Sequence, residues 1–302
     1  MSMNRNEGRF SAPPSSQAPP EVLEQIQNLE ADAHVKEQAP SSDAGLFSFT
    51  TPTEFVELPS RGRFYPESHP LHNSETIEIK YMTAKDEDIL TSPALLRKGL
   101  AIDRMIQNII VDKRIKSDSL LVGDKSAIVV AARASGYGSD YVTNVTCPRC
   151  GTTSDFAFDL GDAKIQHGGA DLLREEGHDV KETPQGTFML TLPRMKVEIE
   201  VKLLTGKEEK FISKLLSSKK QEEQLLTSQL KTFIVSANGH TDRRAIDHLV
   251  HNMPAQDSRF LRGVYQKLAP NVDLTQDYSC GHCGYEQEME VPFGADFFWP
   301  KS

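Results

Sequence analysis

Four cysteines stand in two units of the same form, Cys147-Pro148-Arg149-Cys150-Gly151 and Cys280-Gly281-His282-Cys283-Gly284. Two intervening residues let a tight turn aim both sulfurs at one ion, and the glycine that follows tolerates the positive φ that closes the turn. Together the units supply Cys147, Cys150, Cys280 and Cys283 as four thiolates. Four thiolates with no spare ligand describe a closed, structural Zn2+ site, one per chain, with no open position for a substrate. Each unit leads into alternating sequence, Phe156, Phe158 and Leu160 after the first and Tyr285, Gln287, Met289 and Val291 after the second, which is the pattern of a zinc ribbon. About 130 residues separate the pairs, and closing such a loop costs about 5 kcal/mol of chain entropy. A structural zinc contributes about 10–16 kcal/mol, so the metal can close it and would staple the ends of whatever lies between.

Rival chemistry is weaker at each point. Cys-Gly-His-Cys is also the active-site sequence of protein disulfide isomerases, but there the dithiol opens a helix and a tryptophan usually precedes it; here Tyr278-Ser279 precedes and alternating residues follow. His282 reads as a turn residue, because four cysteines already suffice. His69 and His72 read as loop residues, and Asp86, Glu87 and Asp88 as charge at the start of a helix rather than acid–base groups. No GxxxxGK[ST], HExxH, GxSxG or dinucleotide fingerprint is present. A zinc-ribbon nucleic-acid or transcription accessory protein is the alternative function. Against it, residues 141–160 and 272–302 carry only Arg149 and Lys301 opposite eight acidic residues, and phosphate would be repelled.

The elements that must position these sulfurs are legible as α+β: a helical and small-sheet core, a split four-cysteine ribbon and an inserted helical subdomain. Of 302 residues, 34 are basic and 43 acidic, a net charge of −9 that argues against non-specific coating of nucleic acid or anionic membrane. No apolar run is long enough to span a membrane and the N-terminus lacks an apolar signal core, so a soluble, unexported chain in a reducing compartment is expected. Residues 1–52, rich in proline, serine and acids, read as a disordered or partner-ordered arm in which Val22, Ile26, Leu29 and Ala33 could form one apolar stripe. Residues 53–140 read as a strand-plus-helix region. There Thr83 and Asp86 mark a helix start, Pro93 another, Ile102, Met105, Ile106, Ile109 and Ile110 a buried stripe, and a further helix begins near Asp124 and ends at Gly136. Residues 141–160 and 272–302 are the ribbon halves. Residues 161–271 form the insertion: a surface loop from Gly161 to Gly186, a strand pair, a long helical segment from Thr205 through Phe233 and Ile234 stopped by Asn238-Gly239, a helix capped by Thr241, and one started by Pro254.

Several runs carry a family resemblance: Glu57-Leu58-Pro59-Ser60-Arg61-Gly62 with Tyr65-Pro66, Met82 to Leu90, Leu121-Val122-Gly123-Asp124-Lys125, Ala131 to Gly138, and Leu203 to Glu209. Over most of residues 54–300 the chain resembles the baseplate hub proteins of T-even-like contractile-tailed bacteriophages. The resemblance implies a virion or assembly component near the centre of the tail baseplate, found in the host cytoplasm during assembly. It also implies contacts with other tail baseplate and hub proteins or with copies of itself, and no catalysis, nucleic acid, membrane or small-molecule substrate.

Overall fold

Alternation in Val56, Ile77 and Ile79 makes one face of the first strand pair apolar, and that face is buried. β1 (Thr53–Glu57) and β2 (Thr76–Lys80) run antiparallel with Val56 opposite Ile77. The structure, a computed structural model, describes residues 51–216, 225–292 and 295–298. The arm expected over residues 1–52, with its apolar stripe, lies outside the described residues except for Thr51 and Pro52.

Helices follow as their start signals predict. α1 (Ala84–Thr91) opens at Thr83, whose amide and hydroxyl both donate to the Asp86 carboxylate at 2.9 and 2.8 Å. α2 (Pro93–Arg97) has proline at its first position. α3 (Ala101–Ile109) buries Met105, Ile106 and Ile109, but Ile102, expected in the same stripe, is 43% exposed. Its turn borders an open groove beside Val129 and Lys210, where none of the described residues covers it. α4 (Val122–Tyr137) starts two residues before Asp124, which lies inside the first turn. There the buried Asp124 carboxylate accepts from the Ser60 amide at 2.9 Å, the Ser60 hydroxyl at 2.6 Å and the Tyr65 hydroxyl at 2.8 Å, tying the turn after β1 to the helix. Burial raises its pKa despite those donors.

Between Gly161 and Gly186 the expected loop is in fact short structure: β5 (Lys164–Gln166), α5 (Asp171–Glu175) and β6 (Val180–Glu182). Ala170, Leu173 and Val180 are buried there, and these few apolar side chains anchor the stretch to the core although they show no periodicity. β6, β7 (Thr187–Thr191), β8 (Glu198–Lys202) and β9 (Ile234–Ala237) form one antiparallel sheet in that order, with Phe188, Leu190, Ile199 and Val201 on the buried face. Of the long helical segment expected from Thr205, residues 217–224 lie outside the described residues. α6 (Gly206–Leu216) and α7 (Leu225–Phe233) are helical, whereas Ile234 begins β9. The β-branched Ile234 and Val235 suit a strand, and β8 offers a free edge to pair with. Asn238 and Gly239, both at positive φ, then make a tight turn joining Ala237 and His240 rather than a helix stop. α8 (Arg243–His251) is capped by Asp242, not Thr241. α9 (Ala255–Leu268) starts at Pro254 as expected.

One contact draws the two ends of the insertion together. β10 (Asn271–Asp273) pairs antiparallel with β5, Val272 opposite Ile165. Pro270 passes so close over α4 that a Cβ at Gly123 would sit 1.9 Å from its carbonyl oxygen, so only glycine fits there. The buried apolar residues of the described chain form a single cluster.

Candidate metal centre

Two hairpins with the same local plan carry the cysteines. β3 (Asp140–Thr146) pairs with β4 (Thr153–Asp159), and β11 (Thr275–Ser279) with β12 (Glu286–Glu290). In the first connection the Cys147 amide donates to Thr152 O and the Gly151 amide to Cys147 O, both at 2.9 Å. The second repeats this with the Cys280 amide on Tyr285 O and the Gly284 amide on Cys280 O, again at 2.9 Å. Gly151 and Gly284 have φ of 71° and 64°, the left-handed conformation for which glycine was expected.

The fold brings all four sulfurs together, every pair within 4.8 Å. Cys147 Sγ lies 3.8 Å from Cys283 Sγ, and Cys150 Sγ 3.8 Å from Cys280 Sγ. A tetrahedron of sulfurs about 2.3 Å from a central ion has edges of about 3.8 Å, whereas a disulfide requires about 2.05 Å. Spacing and donor chemistry thus fit a metal ion held by thiolates. Cys147 and Cys280 are buried, Cys283 is half-buried and Cys150 faces solvent. The hydroxyl and amide of Thr152 hold the Cys150 thiol near 5, and the amides of Cys283 and His282 lower that of Cys280. Burial pushes Cys283 up to about 12.

Long-range contacts fix how the hairpins meet. Gln276 on β11 clasps the end of β4, accepting from the Asp159 amide at 3.0 Å and donating to its carbonyl at 2.5 Å. Phe156 meets the ring of Tyr278 edge-on at 5.1 Å. At the base, the fully buried Arg133 donates to the carbonyls of Gly138 and Phe297 at 2.6 Å each and of Asp140 at 3.2 Å. Sequence reasoning missed Gln276, Arg133 and Asp124, because each acts on a partner far along the chain and no local pattern announces it.

The alternatives fare as their chemistry dictates. Neither CxxC opens a helix: β4 and β12 follow them, so the dithiol environment of a disulfide isomerase is missing. His282 is exposed and lies outside the sulfur cluster. His69 bonds Ser119 Oγ at 2.9 Å and His72 bonds Tyr65 O at 2.7 Å, two separate loop contacts. The outer face of the second hairpin exposes Asp277, Glu286, Glu288 and Glu290, with Asp277 directly opposite Glu288. No described helix is long and apolar enough to cross a membrane.

A family model described as T4 bacteriophage base plate protein matches residues 52–299, a span that holds both cysteine pairs and everything between them. Neither the curated proteins nor the solved structures yield a match.

Proposed function

The chain belongs to the T4 bacteriophage base plate protein family, and on that premise we propose that it is a structural part of the hub region of a contractile tail baseplate, braced by one zinc ion on Cys147, Cys150, Cys280 and Cys283. The family makes it a phage baseplate component and implies a non-enzymatic role. What carries the finer reading is the match over residues 52–299 combined with four sulfurs at tetrahedral spacing. Four thiolates leave no position for a substrate, so the ion holds two hairpins in one orientation instead of reacting. The partners are other baseplate and hub proteins, met over interfaces larger than about 1,000 Å². Before incorporation the protein resides in the host cytoplasm. Its exposed carboxylates repel phosphate, so DNA is not a partner.

Mass spectrometry and cryo-electron microscopy of purified virions test the assignment. The chain is expected in the particle at the baseplate centre, and phage lacking it are expected to accumulate heads and tail parts without complete baseplates. Intact infectious tails from the knockout would overturn the reading, and salt-sensitive DNA binding by the purified protein would favour a nucleic-acid accessory role. Metal analysis is expected to give one zinc per chain; a metal-free folded protein with two disulfides would refute the centre.

A further inference from the structure

Tyr278 sits one residue before the strand end that leads into Cys280, on the same buried side of β11. Its ring is 1% exposed and packs edge-on against Phe156. Its hydroxyl is sealed from solvent and has no hydrogen-bond partner among the described residues. A buried tyrosine hydroxyl normally finds an acceptor, because leaving the donor unpaired away from water is unfavourable. Tyr278 and Cys280 are both buried and flank the exposed Ser279, so their side chains enter the interior on the same side and the Cys280 sulfur is the acceptor set beside this hydroxyl. A neutral thiol is a poor acceptor, whereas a metal-bound thiolate carries negative charge and is a good one.

We propose that Tyr278 is a tuning residue of the sulfur centre, its hydroxyl donating to Cys280 Sγ when the metal is bound. This rests on the metal reading above. A dipositive ion with four thiolates carries a net charge of −2, and the backbone amides and the Thr152 hydroxyl already direct donors at Cys150, Cys280 and Cys283. Tyr278 adds a side-chain donor from the dry side, where water cannot replace it. Partners of this kind fix ligand orientation and slow ligand loss, and their removal weakens metal binding about 10–100-fold.

Cobalt substitution and zinc release separate the two claims. Wild-type protein loaded with Co2+ is expected to show the absorption of a tetrahedral thiolate site at one ion per chain; without it the metal reading itself fails. Tyr278→Phe keeps the ring and its packing, so the variant is expected to fold and to bind one ion. Its sulfur-to-cobalt charge-transfer band is expected to move to lower energy, and its zinc to pass to a chelator at least several-fold faster. In wild-type protein loaded with an NMR-active cadmium isotope, coupling between the metal and the Tyr278 hydroxyl proton is expected across the hydrogen bond. An unchanged band and release rate in Tyr278→Phe, or no such coupling, would overturn the proposal while leaving the metal centre standing.

Discussion

Cys283 and Arg133 illustrate two ways a single side chain holds this protein together. Cys283→Ser is expected to abolish stoichiometric zinc. Because β5 and β10 already pair at the base of the insertion, the metal is not the only closure of that long loop. Amide exchange in Cys283→Ser should therefore rise at Cys147–Thr152 and Cys280–Tyr285 while β5, β10 and α9 stay protected. Melting of the β6–β9 sheet in the same variant would show instead that the ion staples the whole insertion. Arg133→Ala leaves one buried and two part-buried carbonyls without this donor, and denaturant unfolding is expected to show a loss of about 1–3 kcal/mol. The cysteine turns were legible in the sequence because their chemistry is local, two residues between sulfurs and a glycine after. Arg133 was not, since its acceptor at Phe297 lies 164 residues away and any arginine in a helix looks the same from its neighbours.

Individual elements obeyed their local signals wherever no distant partner competed. Thr205 was legible as a helix start, and the Glu208 carboxylate accepts there from the Thr205 amide at 3.0 Å and from Lys202, on the preceding strand, at 2.8 Å. Burial alone would raise the Glu208 pKa, but Lys202 and Thr205 outweigh it and hold it at about 2. A carboxylate depressed in the folded state adds stability that is complete above its unfolded value of 4.5 and is lost as pH falls from there towards 2. Glu208→Gln is expected to flatten that part of the stability–pH curve and leave neutral pH dependence unchanged, as read by thermal melts across the acid range. The strand at Ile234–Ala237 was hidden because the preceding residues keep a helical stripe up to Phe233, and only the open edge of β8 decides where helix stops. The stretch after Gly161 misled for the opposite reason: its anchors Ala170, Leu173 and Val180 are too few to show a period.

On the scale of the whole molecule, the α+β class and the pairing of the two knuckles were readable from the chain, whereas the side-chain clasps that join distant segments around them were not. Arg133 holds Phe297, Gln276 holds Asp159, and the second cysteine pair completes the first. Removing residues from Phe297 onward is expected to loosen the C-terminal end of α4 much as Arg133→Ala does, measurable as faster amide exchange around Arg133 to Gly138. All three closures wait on residues 276–297 to be made. At about 5–20 residues per second of synthesis, Cys147 and Cys150 stand in the cell for on the order of 10 s as a half-site before Cys280 and Cys283 emerge. During that interval two thiolates hold an ion far more weakly than four, so a stable metal site waits for the second knuckle. A chain released early lacks the second knuckle, the clasp and the bolt at once, and so presents no finished ribbon to a growing baseplate.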